Sequence, residues 1–109
     1  MKYQYFNYSD KLEVEKLLES PSEETRSSTI VGMVNGITDA QWVQNKLLEL
    51  INDESFWVAK NAIMGFGDLA RLHGKLDLLK VKSAFEKIDR EELKEAVKDT
   101  LNDLTIFLK

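Results

Sequence analysis

The chain has 109 residues, enough for one domain with a single modest core, and it contains no cysteine. Disulfide frameworks, thiolate catalysis and thiolate zinc sites are thereby excluded. A net charge of −4 with 31% charged residues reads as a soluble, mixed surface that argues against nucleic acid and leans toward a basic protein partner.

Residues 1–8 carry Tyr3, Tyr5, Phe6 and Tyr8, are strand-like in composition, and are expected to cover one exposed apolar end of the fold. They lack the apolar run and cleavage site of a signal peptide. No stretch approaches the length needed to cross a membrane, so the cytoplasm is the expected compartment.

Ser9 or Asp10 is placed to N-cap a first helix running to about residue 19, with Leu12, Leu17 and Leu18 inward and Val14 near the edge. Ser20-Pro21-Ser22-Glu23 ends that helix and starts the next, because proline fits a helix's first turn and not its interior. The second helix runs to about residue 35, with Gly36 as its C-cap. Thr38, with Gln41 as capping-box partner, begins a third helix whose stripe is Val43, Leu47, Leu50 and Ile51.

Asn52-Asp53 breaks the pattern, and Asp53 or Ser55 caps a fourth helix over about residues 54–72, closed by His73-Gly74. A fifth helix covers about residues 76–88, with Leu78, Val81, Phe85 and Ile88 inward. Asp89, three residues before Glu92, supplies another capping box for a sixth helix that ends near Phe107.

The fourth helix carries a pattern that two others repeat. Val58, Ala62, Gly65, Phe66 and Leu69 form one helical stripe, and its small members let a neighbouring helix approach closely. Around Arg26 the same template puts Thr29, Gly32 and Met33 where Ala62, Gly65 and Phe66 stand. Around Lys94 it puts Val97, Thr100 and Leu101 there. Arg26, Ala59 and Lys94 are spaced by 33 and 35 residues, a period that implies a stacked helical array. The expected fold is all-α, with about six helices in three antiparallel pairs forming a single domain over residues 1–109.

This repeat resembles the HEAT repeat, whose first helix has a V-R-x-x-A-x-x-A-L-G-x-L core. Val58, Ala62, Gly65, Phe66, Gly67 and Leu69 match that core, and Ala59 departs from it, standing where the family has arginine. Arg26 and Lys94 restore the basic residue in the other two units. The resemblance covers nearly all of residues 9–108 and implies a short right-handed α-α superhelix: a lone second-type helix, two full repeats, then a lone first-type helix. It is a likeness of fold and says little of chemistry.

A narrower likeness rests on Phe66-Gly67-Asp68-Leu69-Ala70-Arg71-Leu72-His73-Gly74-Lys75-Leu76-Asp77 and on Leu101-Asn102-Asp103-Leu104-Thr105-Ile106-Phe107-Leu108. These runs are similar to small bacterial HEAT-like proteins encoded beside secreted toxins as immunity proteins. The turn Asp89-Arg90-Glu91 departs from that set. The resemblance implies a non-catalytic protein-binding module that neutralises a toxin by occluding it. The alternatives are a small HEAT-like enzyme or lyase-type subunit, and a general assembly scaffold.

Gly65-Phe66-Gly67-Asp68-Leu69-Ala70, with Asp89 nineteen residues beyond, imitates a dinucleotide fingerprint. That fingerprint needs a preceding strand and a loop at the glycines, whereas here a helical stripe runs through them, so close helix packing is their reading. His73 is the only histidine and falls at a helix C-terminus, where such a side chain is favoured for structural reasons. Catalytic, cofactor and metal sites are therefore all expected to be absent.

Asp99 and Asp103 lie four apart on one helix face below Glu91, Glu92 and Glu95, and Glu13, Glu15, Glu19, Glu23 and Glu24 make a second acidic cluster. Either is a solvated face or a surface for a basic partner. Trp42 and Trp57 sit at the edges of their stripes and are the available aromatic anchors. In HEAT-like stacks the second helix of each pair lines the concave side, which implies that Gln41, Gln44, Asn45 and Glu49 face outward with Lys80, Lys82 and Lys87. The expected partner-binding set is Trp42, Gln44, Asn45, Glu49, Trp57, Lys80, Asp99 and Asp103, and the expected partner is another protein, such as a basic toxin domain, rather than nucleic acid or membrane.

Overall fold

Short oxygen-bearing side chains set the helix starts. In the structure, a computed structural model describing residues 8–108, five of them accept a hydrogen bond from a backbone N–H of the first turn. Asp10 takes the N–H of Leu12 and begins α1 (Lys11–Leu18), and Ser22 takes that of Thr25 and begins α2 (Glu23–Gly36). Asp39 opens α3 (Ala40–Leu50), Ser55 opens α4 (Phe56–His73) and Asp77 opens α5 (Leu78–Glu86) in the same way. The expected part of the N-terminal cap formed by Tyr3, Tyr5 and Phe6 lies outside the described residues.

Several starts and stops differ from expectation. Asp39, not Thr38, caps α3, because its carboxylate reaches the Trp42 N–H at 3.1 Å. Asp89 makes no capping box with Glu92. The Arg90 Nε holds the Glu92 carboxylate at 3.2 Å instead, and the chain enters through a 3-10 turn (Glu91–Leu93) before α6 (Lys94–Phe107). Gly36 ends α2 as a helical residue; among the described residues only Gly74, which caps α4 with φ 64°, uses the left-handed region. On α1 the fully buried residue is Val14, while Leu12, two positions away and so on the opposite side of the helix, is 74% exposed.

Among the described residues the architecture is all-α: six α-helices in antiparallel succession, forming a short α-α superhelix. Helices α2, α4 and α6 pack side by side as one layer, with α4 in the middle. Helices α1, α3 and α5 form the second layer, and α5 is held to α4 by an edge-to-face contact of Phe85 on Phe66, with centroids 5.5 Å apart. Val58, Ala62, Gly65, Phe66 and Leu69 are all buried, and Ala59, Ile63, Gly67 and Ala70 widen the stripe. A helix touched from three sides needs that width.

The glycines show how closely α4 is approached. A Cβ on Gly65 would lie 3.1 Å from Leu47 of α3 and 3.5 Å from Val34 of α2. On Gly67 it would lie 3.2 Å from the Asp103 carboxylate of α6. Gly32, the counterpart of Gly65 in the first unit, serves a different neighbour: its missing Cβ makes room for the Tyr8 ring.

A second sign of the repeat is a recurring tie. Arg26 Nη1 donates to the Ser20 carbonyl at 3.0 Å and Lys94 Nζ to the Ile88 carbonyl at 2.8 Å, each reaching six residues back to hold the turn before its helix. Ala59 cannot do this. The equivalent carbonyl, that of Asp53, is taken by Arg90 Nη1 at 2.6 Å, while Arg26 Nη2 lies 3.5 Å from the Asp53 carboxylate. Both neighbouring units supply what the middle one lacks.

Replacing Gly65 by leucine must displace Leu47 and Val34 together. The expected loss of stability is about 1–3 kcal/mol, the usual scale of overpacking. Thermal denaturation of Gly65→Leu checks it, and an unchanged midpoint would contradict the close packing described.

Candidate protein-binding surface

The buried stripe of α4 leaves an opposite edge on which Phe56, Lys60, Met64 and Asp68 recur every four residues. With α6 this edge forms a groove of about 450 Å³. Phe56, Met64 and Ala96 supply its apolar part, and Asp68, Glu92, Glu95, Asp99 and Asp103 its acidic part. On the other side of α4 a shallower depression of about 420 Å³ lies against α2, between Glu23, Glu24, Ser27, Ser28, Asn61 and Trp57.

Trp57 is 55% exposed. Its ring meets Phe56 edge to face at 5.0 Å, and the Lys60 ammonium lies 5.4 Å from Trp57 and 5.7 Å from Phe56. Lys60 is the one cation among the described residues lining either depression, and these rings hold it.

The carboxylates of this face are unevenly matched. Asp68 has Arg71 at 3.6 Å, and Glu23 accepts the Ser55 hydroxyl. The Glu92 carboxyl is held below the usual range, first by its own backbone N–H and then by Arg90. Glu24, Glu95, Asp99 and Asp103 have no cation of the described residues within ion-pair distance.

The second layer presents a different surface. Trp42 is half-buried, with the Lys11 and Lys46 ammoniums 5.7 and 5.4 Å from its ring. Lys11 pairs with Asp39 at 2.7 Å, and Lys46 lies 3.0 Å from Glu15 and 3.8 Å from Glu49. Asn45 accepts a bond from Gln41, and Lys80 is exposed on α5. Around Trp42 this face is largely neutralised by its own ion pairs.

The expected partner-binding residues therefore do not form one site. Trp57, Asp99 and Asp103 belong to the α2–α4–α6 layer, whereas Trp42, Asn45, Glu49 and Lys80 belong to the other. Gln44 belongs to neither surface. It is 3% exposed, and its side-chain oxygen accepts the Asp77 N–H at 2.8 Å, tying α3 to the start of α5. Lys60 and Met64 were not singled out by sequence reasoning; their signal is the four-residue period opposite the apolar stripe, obscured because it mixes charge, thioether and aromatic groups.

Among the described residues no three His, Cys, Asp or Glu side chains could together hold a metal ion. His73 stands in the last turn of α4, and no described helix is long and apolar enough to cross a membrane.

No protein-family model matches the chain, and no curated protein matches it. Among solved structures it is similar to a chain in the crystal structure of a CDI complex from Cupriavidus taiwanensis LMG 19424. The two share 22% identity with a TM-score of 0.82, over 100% of this chain and 99% of that one. At that identity the likeness is one of fold, and it runs the full length of the helical array.

Asp39 yields a pH prediction. Its carboxyl is lowered, first by the Lys11 ammonium and then by the Trp42 N–H. A lowered folded-state pKa gives stability that is present above the ordinary carboxylate value of about 4 and lost as pH falls through the folded value. Asparagine keeps the N-cap but not the charge. Wild type should melt above Asp39→Asn at neutral pH in low salt, and the gap should close on acidification and shrink with added salt. A gap independent of pH would refute the assignment.

Proposed function

We propose that this chain is a non-catalytic, toxin-neutralising immunity protein that binds its partner in the cytoplasm and occludes its working surface. The observation that carries this reading is the end-to-end fold likeness to a chain of a CDI complex. Contact-dependent inhibition pairs a toxin with an immunity protein, and a short helical array fits the second role.

Surface chemistry supports the same reading. Occlusion needs a stable interface, which covers roughly 800 Å² on each partner. The chain exposes 6992 Å², so one face of one helix layer suffices. Exposed tryptophan beside unpaired carboxylates suits such an interface, the ring anchoring and the charges hastening encounter.

The test is co-expression with a candidate toxin domain taken from the genes that flank this chain's own. Bacteria expressing the toxin domain alone should stop growing. Those also expressing this chain should grow, and the two proteins should elute as one complex in size-exclusion chromatography. A toxin domain that neither binds the chain nor is restrained by it would overturn the proposal.

A further inference from the structure

We propose that the α4–α6 groove is the docking cradle for a basic protein segment, with Lys or Arg side chains along the Glu95–Asp99–Asp103 row and an apolar side chain on Met64 and Phe56. This deepens the protein-binding reading above and rests on it. Three observations point to that occupant.

The first is the charge row. Glu95, Asp99 and Asp103 recur every four residues on α6, so they step along the helix by about 6 Å. Like charges at that spacing repel and weaken a helix. No cation of the described residues pairs with them, and Lys60, across the groove, is engaged by two aromatic rings. A partner bringing positive charge at matching intervals relieves the repulsion. Side chains on one face of an extended segment, about 6.7 Å apart, and those four apart on a helix, about 6 Å, both meet the requirement.

The second is the seat of Asp103. A Cβ on Gly67 would stand 3.2 Å from its carboxylate oxygen, so the carboxylate lies close over the backbone of α4 and would have to shift by a few tenths of an ångström to admit a side chain there. This end of the row is positioned by packing. The third is the apolar part of the groove: Met64 is 48% exposed between the two helices, a flexible side chain able to fit an incoming apolar group.

The carboxylates are not gathered tightly enough to hold a metal ion. Their sign repels phosphate, which excludes a nucleic-acid backbone. The Trp42 face lacks the same demand, because Asp39, Glu15 and Glu49 already have lysine partners.

The probe is a peptide of about eight residues, long enough when extended to follow α6, with lysine at alternate positions and one central leucine. A glutamate-for-lysine peptide is its control. With Trp42→Phe as background, Trp57 emission reports events beside the groove. The lysine peptide should bind and perturb Trp57, and Asp99→Asn with Asp103→Asn should weaken it by about tenfold or more. Glu15→Gln on α1 with Glu19→Gln just after it removes the same charge and should change it less than about twofold. Because the paired asparagines relieve a like-charge row, thermal stability should stay level or rise, which separates lost binding from lost fold.

Equal weakening by both double variants would reduce the effect to net charge and overturn the cradle. So would tight Mn²⁺ binding that the asparagines abolish, or a dimer they dissolve. If the toxin domain binds the asparagine variant as well as wild type, the cradle fails and the immunity reading stands. If the lysine peptide binds as described but the toxin domain does not bind wild type, the cradle stands and the immunity reading fails.

Discussion

Everything in this fold depends on how closely α4 can be approached. It is the middle helix of its layer and also faces α3, so three helices need to come near one cylinder at once. Large side chains all round would hold them apart and leave gaps between, and small ones all round would forfeit apolar burial. The chain alternates the two. Phe66, Ile63 and Leu69 fill volume, while Gly65 and Gly67 mark where a neighbour comes close.

The same constraint shapes the outer surface. With its inner arc given to packing, α4 has one narrow face left for water, with Phe56, Lys60, Met64 and Asp68 on its α6 side and Trp57 and Asn61 on its α2 side. The edge inherits a groove because α6 lies close at Gly67. The packing on one side and the groove on the other therefore meet at a single glycine. Across the molecule Trp42 is also aromatic and accessible, but its lysines and their carboxylates satisfy one another, which makes that face electrostatically quiet.

Helix periodicity was legible because an apolar stripe is a local property of the chain. The α4 stripe, the short-range breaks at Ser20–Ser22 and Asn52–Asp53, and the helical course through Gly65-Phe66-Gly67 can all be read without knowing what packs against what. Choices between adjacent capping residues were less accessible, since Thr38 and Asp39 differ only in which oxygen meets the Trp42 N–H. Of the residues singled out for a partner, Trp57, Asp99 and Asp103 lie on a common layer. Gln44 misled because a glutamine's polarity does not tell whether its partner is solvent or, as here, the Asp77 N–H. Lys60 and Met64 acquire meaning only when α6 lies beside them, which no local pattern announces.

The absent tie at Ala59 bears on how such a chain could have grown. In a linear array, stability is roughly a sum of each unit's own contribution and of the joints between units. The first and third units fasten their own leading turns through Arg26 and Lys94, whereas the Asp53 turn is fastened from outside, by Arg26 on one side and Arg90 on the other. The central unit has moved part of its own term into its joints. A tandem duplication of that unit would set two copies side by side, each keeping only one of the two fasteners: the first would lose Arg90 from its Asp53 carbonyl and the second would lose Arg26 from its Asp53 carboxylate. Duplicating the unit that carries Arg26 would bring its fastener along. Lengthening of this array is thus easier from its self-fastened units than from its best-packed one.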